Sequence, residues 1–79
     1  MKLFKISQDK NCGYETYDSA VVAAENDEEA RLLHPGDRNW DGTDNSGTWC
    51  NAKDVKVKYL GEAKDDTYPG VIVASFNAG

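Results

Sequence analysis

The feature that most constrains this chain is a pair of uncharged β-type runs, Ala20-Val21-Val22-Ala23-Ala24 and Val71-Ile72-Val73-Ala74-Ser75-Phe76. β-branched side chains are stiff at χ1 and pack well on a pleated surface, so both runs favour strand. Each is far shorter than the roughly 20 apolar residues of a membrane helix. Neither carries a charge to keep one face in water. They therefore read as two central strands covered on both faces.

The remaining elements arrange themselves around those runs. Lys2 to Gln8 alternates, with Phe4 and Ile6 on one face and Lys5 and Ser7 on the other, and its lysines suit an exposed edge. Asp54 to Leu60 alternates again, setting Val55, Val57 and Tyr59 against Lys56 and Lys58. The turn signal Tyr68-Pro69-Gly70 then predicts an antiparallel hairpin between the third and fourth strands. Asn26-Asp27-Glu28-Glu29 has the form of a capping box and an acidic first turn, opening a helix from about Asp27 to His34 that Pro35-Gly36 stops. Ala30 and Leu33 are spaced to face the sheet, and His34 sits where a cation favours the helix end.

The expected fold class is α+β: a four-stranded, mostly antiparallel sheet with one helix packed on a face, in the order ββα-loop-ββ. Were the second and third strands adjacent and parallel, the helix and loop would form a right-handed crossover. Residues 1–79 read as one domain with a long Trp/Gly/Asp loop at 36–53. Loops of that length in small domains tend to carry function.

Composition narrows the function classes. With 14 acidic against 9 basic residues and no basic cluster, the chain lacks the counterion-displacing patch of a nucleic-acid binder. Met1 to Ile6 is no signal-peptide core and no stretch is long enough to span a membrane, so a cytoplasmic protein with no membrane partner is expected. The two cysteines, Cys12 and Cys50, are too few for a disulfide framework.

The loop holds the candidate sites. Asp37, Asn39 and Asp41, followed by Gly42, match the opening of a calcium loop, in which alternate oxygens converge on the ion. The match then fails, because Thr48 stands where a bidentate Glu belongs and Asp44 where an apolar residue is usual. Calcium is the only cofactor the sequence suggests, and an Asx-turn loop explains the same residues. Trp40 and Trp49 flank small polar residues and could wall a planar, nucleotide-like ligand, or else anchor the loop to the sheet. Tyr14, Tyr17, Asp44 and Asn45 accompany them as binding candidates for a ligand or partner. Zinc is disfavoured, since Cys12, His34 and Cys50 have no metal-ligand spacing and no fourth ligand. With one histidine, no nucleophile elbow and no phosphate loop, no enzyme is expected.

Several segments together resemble a group of small proteins found in bacteria and their phages. They are Met1-Lys2-Leu3-Phe4-Lys5-Ile6-Ser7-Gln8, Gly13 to Glu25 with its Tyr14-Glu15-Thr16-Tyr17, Glu28-Glu29-Ala30-Arg31, Val55 to Ala63, and Ile72 to Gly79. The resemblance is weakest between Trp40 and Trp49. It implies a setting, a phage-borne or prophage-borne accessory factor that binds a host component, and no site residues.

The leading expectation is thus a non-enzymatic protein-interaction module, such as a phage or prophage accessory protein inhibiting a host defence or regulatory protein. The alternatives are a small-ligand binder built on Trp40 and Trp49, and a degenerate calcium loop. A sheet face left uncovered by the one helix would also offer a surface for a second copy.

Overall fold

The computed structural model describes residues 1–10, 16–36, 40, 42, 49–64 and 66–77, the last two by their backbone alone. Four strands, β1 (Lys2–Ser7), β2 (Thr16–Ala24), β3 (Lys56–Glu62) and β4 (Gly70–Asn77), form a sheet in the order β3-β1-β2-β4 with every pairing antiparallel. A short helix, α1 (Asp27–Arg31), lies on it, and a 3-10 turn at Ala52–Asp54 leads into β3. The α+β class expected from the sequence is the one observed.

Strand order departs from the expectation. β4 is an edge, not a central strand, and Val71 to Ser75 are exposed along it. β1, whose lysines suggested an edge, is central between β2 and β3. β3 and β4 form no hairpin but sit on opposite edges, and the 63–69 connection spans the two strands between them. No parallel crossover joins β2 to β3, since β3 pairs β1. An uncharged run is legible as strand from its residues alone, whereas its neighbours are set by long-range pairing with no local signal.

Register explains the core. Phe4 faces Val22 and Tyr59, Ile6 faces Ala20 and Val57, and Lys2 faces Ala24, so these residues share one face of the sheet. There Phe4, Ile6, Ala20, Val22 and Ala24 pack with Ala30 of α1 and with Trp49, Cys50 and Val55. The alanines at 20, 24 and 30 let the helix and the returning loop approach closely. Trp49 and Ile6 are fully buried and supply the bulk.

The helix starts as its residues direct. Asn26 Oδ1 accepts from the Glu29 N–H at 2.9 Å, while the Glu29 carboxylate reaches back to the Glu25 N–H at 3.1 Å, one residue beyond the usual reciprocal partner. It ends at Arg31, three residues earlier than expected, with i→i+3 bonds from Leu32 and Leu33 closing the last turn. Arg31 Nη1 donates to the carbonyl oxygens of Ala52 and Val55, tying the helix to the approach to β3. At the far end of β1, Gln8 is buried and its Nε2 donates to the Tyr17 carbonyl at 2.8 Å.

Candidate functional site

Three residues that the sequence separates by turns and loops converge on His34. Its ring centroid lies 6.0 Å from Tyr17 of β2, 5.5 Å from Trp40 and 6.2 Å from Trp49, all at steep interplanar angles. Edge-to-face contacts of this kind add to the apolar area they bury. His34 is itself buried and stands three residues past α1, so it is a packing residue of this cluster and not an exposed cation on the helix end. Its Nδ1 accepts from the Gly36 N–H at 2.9 Å, which leaves the ring proton on Nε2. Gly36 is pressed against Tyr17: a Cβ there would sit 2.6 Å from the Tyr17 hydroxyl oxygen and 3.0 Å from two ring carbons.

The two tryptophans are placed differently in this arrangement. Trp49 has no exposed surface and belongs to the core, while Trp40 is half-buried against that core. Each ring packs at a steep angle against His34, with centroids 5.5 Å away for Trp40 and 6.2 Å for Trp49. Tyr17 is likewise half-buried, with Gly36 and His34 against its ring. The other candidates, Tyr14, Asp44 and Asn45 for binding and Asp37, Asn39 and Asp41 for calcium, lie outside the described residues, as does Cys12. Among the described residues no group of three His, Cys, Asp or Glu side chains could hold a metal.

Outside the cluster, the segment that carries His34 forms one wall of a cleft of about 610 Å³. Leu32, Leu33 and Pro35 line it on that side, and Pro69, Gly70 and Val71 from the start of β4 face them. The cleft runs directly onto the β4 edge. Val71, Ile72 and Val73 are 38%, 49% and 62% exposed there, and Gly70–Asn77 contains no charged residue. Ile72 is a bulge residue, extra between the Val21–Val73 and Val22–Val71 pairs, which turns it away from the regular ladder.

The opposite edge is built differently. β3 exposes Lys56, Lys58 and Glu62, and a bulge at Leu60 interrupts its pairing with β1. Lysines and bulges are the usual devices that stop an edge from pairing with another chain. Lys56 is further held by Asp9 at 2.9 Å, and each partner moves the other: the Asp9 carboxyl is held below its usual range by the Lys56 ammonium, and the Lys56 ammonium is pushed above its own. Tyr59 donates to Glu62 at 3.1 Å, and that bond holds its phenol above the ordinary range.

Sequence reasoning missed both the cleft and the open edge. The available signal was that Gly70–Asn77 has no charge on either face, a pattern shared by buried central strands and unguarded edges. No family model matches this chain, and neither a curated protein nor a solved structure matches it. Among the described residues no helix is long and apolar enough to cross a membrane.

Proposed function

We propose that this chain is a non-enzymatic protein-interaction module that takes an extended segment of a partner protein onto the β4 edge. The supporting observation is the contrast in charge between the two edges: β3 exposes Lys56, Lys58 and Glu62, whereas β4 presents exposed Val71, Ile72 and Val73 without any charge, and both strands carry a bulge. A strand at an edge has one row of backbone N–H and C=O groups facing outward, and an incoming strand satisfies them while its alternate side chains find pockets. The Leu32–Pro69 cleft at the start of β4 offers such a pocket for an apolar side chain. The setting proposed for the module is that of a phage or prophage accessory protein that occupies a host defence or regulatory protein.

The reading is tested by selecting binding peptides from a random library against the purified chain and mapping them on its isotope-labelled amides. Bound peptides are expected to shift Val71 to Ser75, to give cross-strand contacts to β4, and to be lost in the Ile72→Lys, Val73→Lys double variant with its fold intact. Peptides that map elsewhere and bind the double variant equally well would refute it.

A further inference from the structure

The sheet face turned away from α1 has a composition that the chain as a whole does not share. By register it carries Leu3, Lys5 and Ser7 of β1, Ser19, Val21 and Ala23 of β2, Lys56 and Lys58 of β3, and Val73 and Ser75 of β4. Ala23 is buried at one end, and the rest are half-buried or exposed. In a chain of net charge −5, every charged position that the register places on this face is a lysine; Asp18, the extra residue of the bulge between Tyr17 and Ser19, is not placed by it.

One cross-strand row runs Lys58, Lys5, Val21, Val73. Strands are spaced about 4.8 Å apart, so the row is roughly 14 Å long, with two cations at one end and two valines at the other. Lys5 and Lys58 stand directly opposite one another, an arrangement that destabilises an antiparallel pair. Among the described residues the one ion pair is Lys56 with Asp9, so neither Lys5 nor Lys58 is neutralised by it. Guarding an edge accounts for Lys58. It does not account for Lys5, which lies on a central strand, yet sits on the same face.

We infer that this face is a second docking surface, whose occupant is an amphipathic segment of a partner protein with acidic residues along one flank and aliphatic residues along the other. The acidic flank lies over Lys58 and Lys5, and the aliphatic flank over Val21 and Val73. The inference goes beyond strand addition at β4, since its lysines belong to β1 and β3. A nucleic-acid strand fits less well, because the face offers no aromatic ring for base stacking among the positions named and few cations for phosphates.

The probe is a short synthetic helix with Glu along one flank and Leu along the other, titrated into the isotope-labelled full chain at low and high salt. Saturable shifts at the amides of Lys5, Val21, Lys58 and Val73 are expected, weakening as salt rises. The same helix with Lys in place of Glu should leave them unmoved. Lys5→Gln with Lys58→Gln, which removes the like-charge opposition and leaves the fold intact, should weaken binding by about tenfold or more. Lys53→Gln with Lys64→Gln should not. Absence of binding, equal binding to the Lys5→Gln, Lys58→Gln variant, or tighter binding of single-stranded DNA at the same amides would each overturn the inference. An Ile72→Lys variant alters the β4 edge but leaves Lys5, Val21, Lys58 and Val73 in place, so shifts at those four amides retained in it separate this surface from the β4 edge.

Discussion

Replacing Gly36 by alanine should destabilise the fold by about 1–2 kcal/mol, the balance of two opposed effects. Removing a glycine narrows the unfolded ensemble and would by itself stabilise by about 0.4–1 kcal/mol. Against this, the new Cβ falls 2.6 Å from the Tyr17 hydroxyl oxygen and 3.0 Å from two carbons of its ring. The ring has little room to retreat, since Tyr17 is half-buried with His34 against it at 6.0 Å between centroids. Overpacking of this kind costs about 1–3 kcal/mol, and it wins. Urea unfolding followed by the fluorescence of the buried Trp49 is the assay, and a urea slope of about 1 kcal/mol/M turns the cost into a midpoint lowered by about 1–2 M. Tyr17→Phe removes the nearest atom and leaves the 3.0 Å contacts, so in that background the Gly36→Ala cost should shrink by roughly 0.5–1 kcal/mol. A Gly36→Ala protein as stable as the parent, or an equal cost in both backgrounds, would refute the contact as the cause.

Three further outcomes follow from the packing and the ion pair. Trp49→Ala should cost about 3–5 kcal/mol, a large share of the roughly 4–12 kcal/mol expected for a chain of this length, so the variant should be partly unfolded at room temperature by circular dichroism. Arg31→Met keeps the length of the side chain but loses its donations to the Ala52 and Val55 carbonyls, and should lower stability by about 1.5–3 kcal/mol in urea; no change would show that water replaces them. The Asp9 carboxyl is held low by Lys56, so the pair's contribution is present above the ordinary carboxylate range and is lost as pH falls through the depressed folded value. In Lys56→Ala the Asp9 midpoint, read by NMR titration, should therefore rise towards its ordinary value, and an unmoved midpoint would refute the pairing in solution.

Much of the local structure was legible because its causes are local. The alternation of Phe4 and Ile6 with Lys5 and Ser7, the opposition of Val57 to Lys56 and Lys58, and the Asn26 cap all depend on residues a few positions apart. Strand order was not legible. β1 pairs with β3 from 49 to 60 positions along the chain, and nothing in Lys2–Ser7 distinguishes that neighbour from solvent. His34 was misread for the same reason: its local position suits a helix-end cation, but contacts with Tyr17, Trp40 and Trp49 place it inside. Trp40, Trp49 and Tyr17, read from the sequence as binding candidates, pack against His34 and the core. The two surfaces proposed for docking, β4 and the Lys5–Lys58 row, depend on pairings that sequence alone does not reveal.

The unequal edges also set a limit on assembly size. On the proposed reading, a partner whose own sheet is continued by β4 would gain four strands and then meet β3, whose exposed Lys56 and Lys58 disfavour pairing with another chain. If strand addition occurs at β4 as proposed, growth would stop after one addition and the complexes would be closed and of one-to-one stoichiometry, where a sheet open on both sides would propagate into filaments. On the proposed reading, this small chain docked on an exposed edge elsewhere would act as a terminator, replacing an uncharged edge strand with one that carries lysines.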